Sequence, residues 1–133
     1  MPNNKAKGSK AERELFQMFV SNHYRAVRVA GSGVMDNAEC DLIAGQKGPG
    51  EHKYCIEAKS SKKPVKYITK EQIEKFIIFS DIFGLKPVLA LRFNREGWFF
   101  MHPKFLKDSG KNFVVTLEDA RQHGKRFAQY FVE

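Results

Sequence analysis

The chain has 133 residues, 42% of them hydrophobic and 29% charged, with 23 Lys and Arg against 15 Asp and Glu for a formal net charge of +8. That length suits one domain with one core, and the ordinary globular composition excludes intrinsic disorder and low-complexity polymers. A basic balance, with a pI near 9.6, points to an anionic partner, most economically nucleic acid.

No apolar run approaches the ~18 residues that cross a bilayer, and residues 1–10 are polar and basic with no apolar segment behind them. The expectation is a soluble cytoplasmic protein, associated with the nucleoid and without a membrane partner. Cys40 and Cys55 are too few for a disulfide scaffold and lack zinc-site spacing, which suits a reducing compartment.

In chain order, Ser9 followed by Glu12 has the form of a capping box, and Leu15, Phe16, Phe19 and Val20 recur at helical spacing, which predicts a first helix over residues 10–23. A short strand follows over 24–30 and is broken by Gly31, Ser32 and Gly33. A second strand covers 40–44, a turn forms at Gly48, Pro49 and Gly50, and a third strand covers 53–58. Thr69, with Gln72 three residues on, starts a second helix that ends at Gly84. Its apolar residues Ile73, Phe76, Ile77, Ile78, Phe79, Ile82 and Phe83 cover more than the ~100° stripe that a sheet can bury, so a second face is left for another partner. Strands over 87–93 and 97–101 flank a turn at 94–96, and a weaker helical pattern runs from 117 to Phe127, Tyr130 and Phe131.

The most informative segment surrounds Glu57 and Lys59. Alternate residues of a strand share a face, so these two project together while Ile56 and Ala58 point the other way. Asp41 opens an apolar strand and is poorly explained as a solvated group; if the two strands pair, it meets Glu57. Two carboxylates suit a hard divalent cation such as Mg²⁺, which can acidify a water and polarise a phosphodiester, and Lys59 can orient that water or neutralise developing charge. This is the D…E-x-K arrangement of metal-dependent nucleases. The bland alternative is a solvated cross-strand pair. From position alone Glu12 belongs to the capping box with Ser9, and Asp36 and Glu39 are reserve acids in a loop.

Residues 7–15 (KGSKAEREL), 28–33 (RVAGSG), 41–45 (DLIAG) and 56–59 (IEAK), continuing through 87–90 and 97–98, resemble the archaeal Holliday junction resolvase family, Hjc, over roughly residues 5 to 101. The resemblance implies an α/β restriction-endonuclease-like fold, a central mixed β-sheet flanked by helices, in one nuclease domain over residues 1–133. A basic arm over about 1–9 and a tail over about 117–133 complete it. It also implies a homodimer that nicks two opposing strands of four-way junction DNA. Glu12, Asp41 and Glu57 match the family's metal-binding acids, and Lys59 its catalytic lysine. Ser32 matches a serine of a loop near the scissile phosphate, where the bland reading is a turn hydroxyl. Arg13 and Arg28 match residues tied to DNA binding or cleavage. The loop over 34–40 departs from the family pattern, carrying Asp36 and Glu39 in place of a basic run.

The cofactor implied is Mg²⁺, with Mn²⁺ as a substitute. Ile73, Phe76, Ile77, Phe79 and Phe83 can serve both the sheet and a two-fold partner helix; the alternative is a helix buried within the monomer. Lys5, Lys7, Lys10, Lys59, Lys62, Lys63, Lys66 and Lys70 can line the DNA backbone. The tail resembles the end of a sliding-clamp motif without its leading glutamine, and a last helix docking its aromatics on the core is the preferred reading. The rivals are a nuclease of the same fold acting on other branched or nicked DNA, and a non-catalytic basic nucleic-acid-binding module.

Overall fold

The computed structural model describes residues 2–29, 39–50 and 52–131, with side chains from residue 10 onward. Helix α1 (Pro2–Ser21) leads into strands β1 (Arg25–Arg28), β2 (Leu42–Gly45) and β3 (Lys53–Ser61). Strand β4 (Val65–Thr69) and helix α2 (Lys70–Phe83) follow, then β5 (Lys86–Phe93) and β6 (Gly97–Met101). A short 3-10 turn (Pro103–Phe105), β7 (Lys107–Ser109), β8 (Asn112–Thr116), α3 (Leu117–His123) and α4 (Phe127–Phe131) complete the described chain.

The main sheet has the order β1-β2-β3-β5-β6, and a smaller one the order β4-β8-β7. Strands β1, β2 and β3 form an antiparallel meander, β3 and β5 are parallel with α2 in the crossover between them, and β6 returns antiparallel. The sheet is therefore mixed, with α2 of the crossover covering one face and α1 and α4 the other. Alternation along the strands separates two cores. Tyr54, Ile56, Val88, Ala90 and Phe100 face Leu15 and Phe19 of α1 with Phe127 and Phe131 of α4. Cys55, Leu89, Leu91, Phe93 and Met101 face Ile73 and Phe76 of α2, with Val115 and Ala120.

Three expectations change and one holds. Helix α1 begins at Pro2, so Ser9 lies inside it and the capping box with Glu12 does not form; the basic N-terminal segment is helical backbone. The segment over 65–69 is a strand, and β7 and β8, which no hydrophobic alternation announced, pair with it. Ile73 and Phe76 are 2% and 0% exposed inside this chain's own core, which removes them from a dimer face. Phe127 and Phe131 are likewise buried, packed edge-on against Phe19 and Phe100. The tail aromatics are thus committed to the core, as the preferred reading had it, and a sliding-clamp partner gains no support.

The expectations for α2 hold at both ends. The Thr69 hydroxyl accepts the backbone N–H of Gln72, and Gly84 closes the helix at φ 67°, a left-handed conformation that suits glycine. No helix among the described residues is long and apolar enough to cross a membrane.

Candidate active site

The site lies where β3 outgrows its neighbour. Strand β2 pairs with β3 through Leu42 and Ile56, and the ladder ends with the Asp41 N–H donating to the Ile56 carbonyl. Beyond that point β3 continues to Ser61 paired with β5 alone. The N–H of Ala58 would be left open at this fork, and the Asp41 carboxylate accepts it at 2.8 Å. A short polar side chain just ahead of the strand thus satisfies a backbone donor that the ladder cannot, and the same contact sets Asp41 beside Glu57. The sequence placed Asp41 at the start of the strand; it stands one residue before Leu42.

Glu57 is only 5% exposed. It shares a strand face with Lys59, whose Nζ lies 3.5 Å from Glu57 Oε2. Gln72, in the first turn of α2, donates its side-chain amide to that same oxygen at 2.9 Å. Burial, and then the neighbouring Asp41 carboxylate, push the Glu57 carboxyl up to about 8, against the opposing pull of Lys59. Asp41 is raised as well, first by burial; the Ala58 N–H counteracts this and the nearby Glu12 carboxylate adds to it. A buried carboxylate and a half-buried one held side by side cannot both ionise cheaply, so at neutral pH the pair retains a proton.

That electrostatic cost is the test of fit for a metal. Hard carboxylate oxygens are the donors that Mg²⁺ and Mn²⁺ take, and a divalent cation relieves the repulsion that the shared proton relieves in its absence. Asp41 and Glu57 fit. Glu12 is near enough to act on Asp41 electrostatically, but its own carboxylate pairs with Arg28, Nη2 to Oε1 3.1 Å. Among the described residues, accordingly, no group of three or more His, Cys, Asp and Glu forms a ready cage. Two predicted functions, the third metal acid and the DNA-contacting Arg28, are joined here in one ion pair.

Beside the fork, between α1 and the far end of β3, opens a cavity of about 510 Å³. Lys10, Lys59, Lys62, Lys66 and Arg92 bring positive charge to it, with Glu12 and Glu14 on its α1 side. Burial, then the proximity of Lys59, lowers the Lys66 ammonium. Lys63 and Arg13 are exposed and do not line this cavity. Lys70 is turned to Asp108 at 2.7 Å. Ser32 and Asp36 lie outside the described residues, as do the side chains of Lys5 and Lys7; Glu39 is half-buried.

Arg92 and Gln72 were missed as site residues. Arg92 stands opposite Ser60 in the β3–β5 register and is fixed by Glu14 at 2.9 Å, a cross-strand placement that needs the parallel pairing to be known. Gln72 did carry a signal, its position three residues after the N-cap, but its reach to Glu57 follows from where α2 crosses the sheet.

A mixed sheet whose central strand forks at two neighbouring carboxylates and a lysine has the architecture of the restriction-endonuclease-like nuclease fold. The chain belongs to the archaeal Holliday junction resolvase family (Hjc), whose family model matches residues 3–127; divalent-metal dependence is general in that family. It is 46% identical over 110 residues to the crossover junction endodeoxyribonuclease Hjc of Methanocaldococcus jannaschii, covering 82% of this chain and 75% of that one. It is 32% identical to the Archaeoglobus fulgidus enzyme of the same name, over 97% of this chain and 98% of that one. The solved structure of Archaeoglobus fulgidus Hjc, a Holliday junction resolvase, superposes with a TM-score of 0.80 at 27% identity, covering 96% of this chain and 97% of the other.

Proposed function

We propose that this chain is a structure-selective endodeoxyribonuclease that resolves four-way DNA junctions as a homodimer, with Mg²⁺ as cofactor and Mn²⁺ as substitute, and that residues 1–133 act as one nuclease domain. The observation that carries the reading is the half-buried Asp41 beside the buried Glu57, with Lys59, at the fork of β3, opening beside a lysine-rich cavity. Family membership gives the substrate class, and the site gives the chemistry.

Asp41 and Glu57 would hold the cation, with Glu12 joining them once it leaves Arg28. When bound, the cation supplies Lewis-acid polarisation of the scissile phosphate and a more acidic water. Lys59 directs its ammonium along the same strand face as Glu57, where it can hold the attacking water and stabilise charge that grows on the phosphate oxygens. The Ala58 N–H locks Asp41 against rotation. In-line attack on phosphorus breaks the bond to the 3′ oxygen and leaves 5′-phosphate and 3′-hydroxyl ends. Lys10, Lys62, Lys66 and Arg92 neutralise backbone phosphates without reading bases, so binding is expected to be salt-sensitive and shape-directed.

Two opposing nicks require two sites. On α2, Ile77, Ile78, Ile82 and Phe83 are 37%, 55%, 72% and 61% exposed, an apolar face of the kind that a two-fold partner covers. Phe79, half-buried with its ring tilted 42° against that of Phe83, stands at its margin.

The test is a comparison of substrates at fixed salt with Mg²⁺: four-way junction, linear duplex, flap and fork. Paired symmetric nicks on the junction, with little cutting of the others, are expected. Equal cutting of all four would move the chain to a general nuclease of the same fold, and no cutting with either Mg²⁺ or Mn²⁺ would leave a binding module.

A further inference from the structure

Helix α2 contributes one polar contact to the acid pair, from Gln72. Thr69 is both the last residue of β4, opposite Asn112, and the N-cap of α2. Its hydroxyl accepts the Gln72 N–H at 3.2 Å. In a capping box the side chain at this third position folds back to the N-cap, as Asp119 does toward Thr116 in α3. Gln72 instead extends across to β3 and donates to Glu57 Oε2 at 2.9 Å. Lys59 approaches the same oxygen at 3.5 Å, so Oε1 takes neither donor.

We propose that Gln72 is a positioning residue for the metal: its amide fixes the rotation of the Glu57 carboxylate by binding Oε2, which leaves Oε1 for the cation. This rests on the reading of Glu57 as a metal-binding acid. A neutral amide suits the task. It stabilises a buried carboxylate by hydrogen bonding and adds no positive charge to repel the incoming ion, whereas a second ammonium beside Lys59 would. Outer partners of ligating carboxylates commonly change metal affinity by 10–100-fold when removed. Because Gln72 is exposed in the first turn of a capped helix, replacing it disturbs little of the core.

The experiment measures Mn²⁺ binding to the full chain by the electron-spin resonance signal of free Mn²⁺, with metal-free unfolding temperature followed alongside. Gln72→Met keeps length and helix propensity but lacks the donor. It is expected to bind Mn²⁺ about tenfold more weakly, to lower the metal-free unfolding temperature by no more than the loss of one hydrogen bond, and to recover nicking at saturating Mn²⁺. Mn²⁺ affinity equal to the parent would overturn the proposal, as would a lowered unfolding temperature with parental affinity, which marks a purely structural contact. Should Met cost the fold, Gln72→Ala gives the same reading with the best helix former. A parent chain whose Mn²⁺ binding is unchanged by Glu57→Ala would instead remove the metal-site reading itself, and this proposal with it.

Discussion

The two long helices lie on opposite faces of the main sheet and use their apolar residues differently. Helix α1 sends Leu15 and Phe19, both fully buried, into one core shared with α4, while its exposed side carries Arg13 and Glu14 toward solvent and the cavity. Helix α2 buries Ile73 and Phe76 in the other core and still presents Ile78, Ile82 and Phe83 outward. One stripe satisfies a helix that only covers a sheet; a second stripe implies a second neighbour. On the proposed function, assembly would fall to the α2 side of the sheet and phosphate contact to the α1 side of the fork.

The sharpest way to break that contrast is to substitute within each stripe. Phe19→Ala or Phe76→Ala, each emptying a fully buried site, should cost about 3–5 kcal/mol in denaturant unfolding. Ile82→Asp, at 72% exposure, should change the stability of the fold by about 0.5 kcal/mol or less yet lower the sedimentation mass from dimer to monomer. A parent chain that already sediments as a monomer would end the assignment of this face to a partner copy.

A smaller effect comes from the acid pair and depends on pH. The folded-state Glu57 carboxyl is raised from 4.5 to about 8, so between those values the folded chain holds a proton that the unfolded chain has released. Stability from this group is therefore complete below about pH 4.5 and is lost as the pH climbs through 8. Without metal, the unfolding temperature of the parent should fall from pH 5 to pH 8 relative to Glu57→Gln, which has no such proton to lose. Glu14 behaves in the opposite sense. Burial raises its carboxyl, but hydrogen bonds from Trp98 and Arg92 outweigh this and lower it overall, so it stays ionised across the same window and contributes nothing to the difference. Parallel pH profiles for parent and Glu57→Gln would contradict the buried-proton account.

Much of this was readable from the residues. Asp41, Glu57 and Lys59 could be brought together because strand alternation and a hairpin connection are local rules, and the caps at Thr69 and Gly84 are chemical signatures of helix ends. The start of α1 has no such signature, because Ser9 and Glu12 mimic a cap inside a helix. The small sheet was invisible for a different reason: Lys107–Ser109 is exposed throughout, and a strand without a buried face leaves no alternating pattern to find. The surplus apolarity of α2 was legible, but which residues stay outside depends on how the helix rolls on the sheet. That is why Ile73 and Phe76 went inward while Ile78 and Ile82 emerged. The Glu12–Arg28 pair and the reach of Gln72 are tertiary facts with no local signature.

On the proposed function, the acids at the fork of β3 perform phosphodiester cleavage and do not merely hold the strands. Nicking of a four-way junction by Asp41→Ala and Glu57→Ala, measured with Mg²⁺ beside junction binding by gel shift without Mg²⁺, tests it most directly. Loss of cleavage on the order of 10³-fold or more with binding largely retained is the predicted result. Nicking at the parental rate in either variant would contradict it.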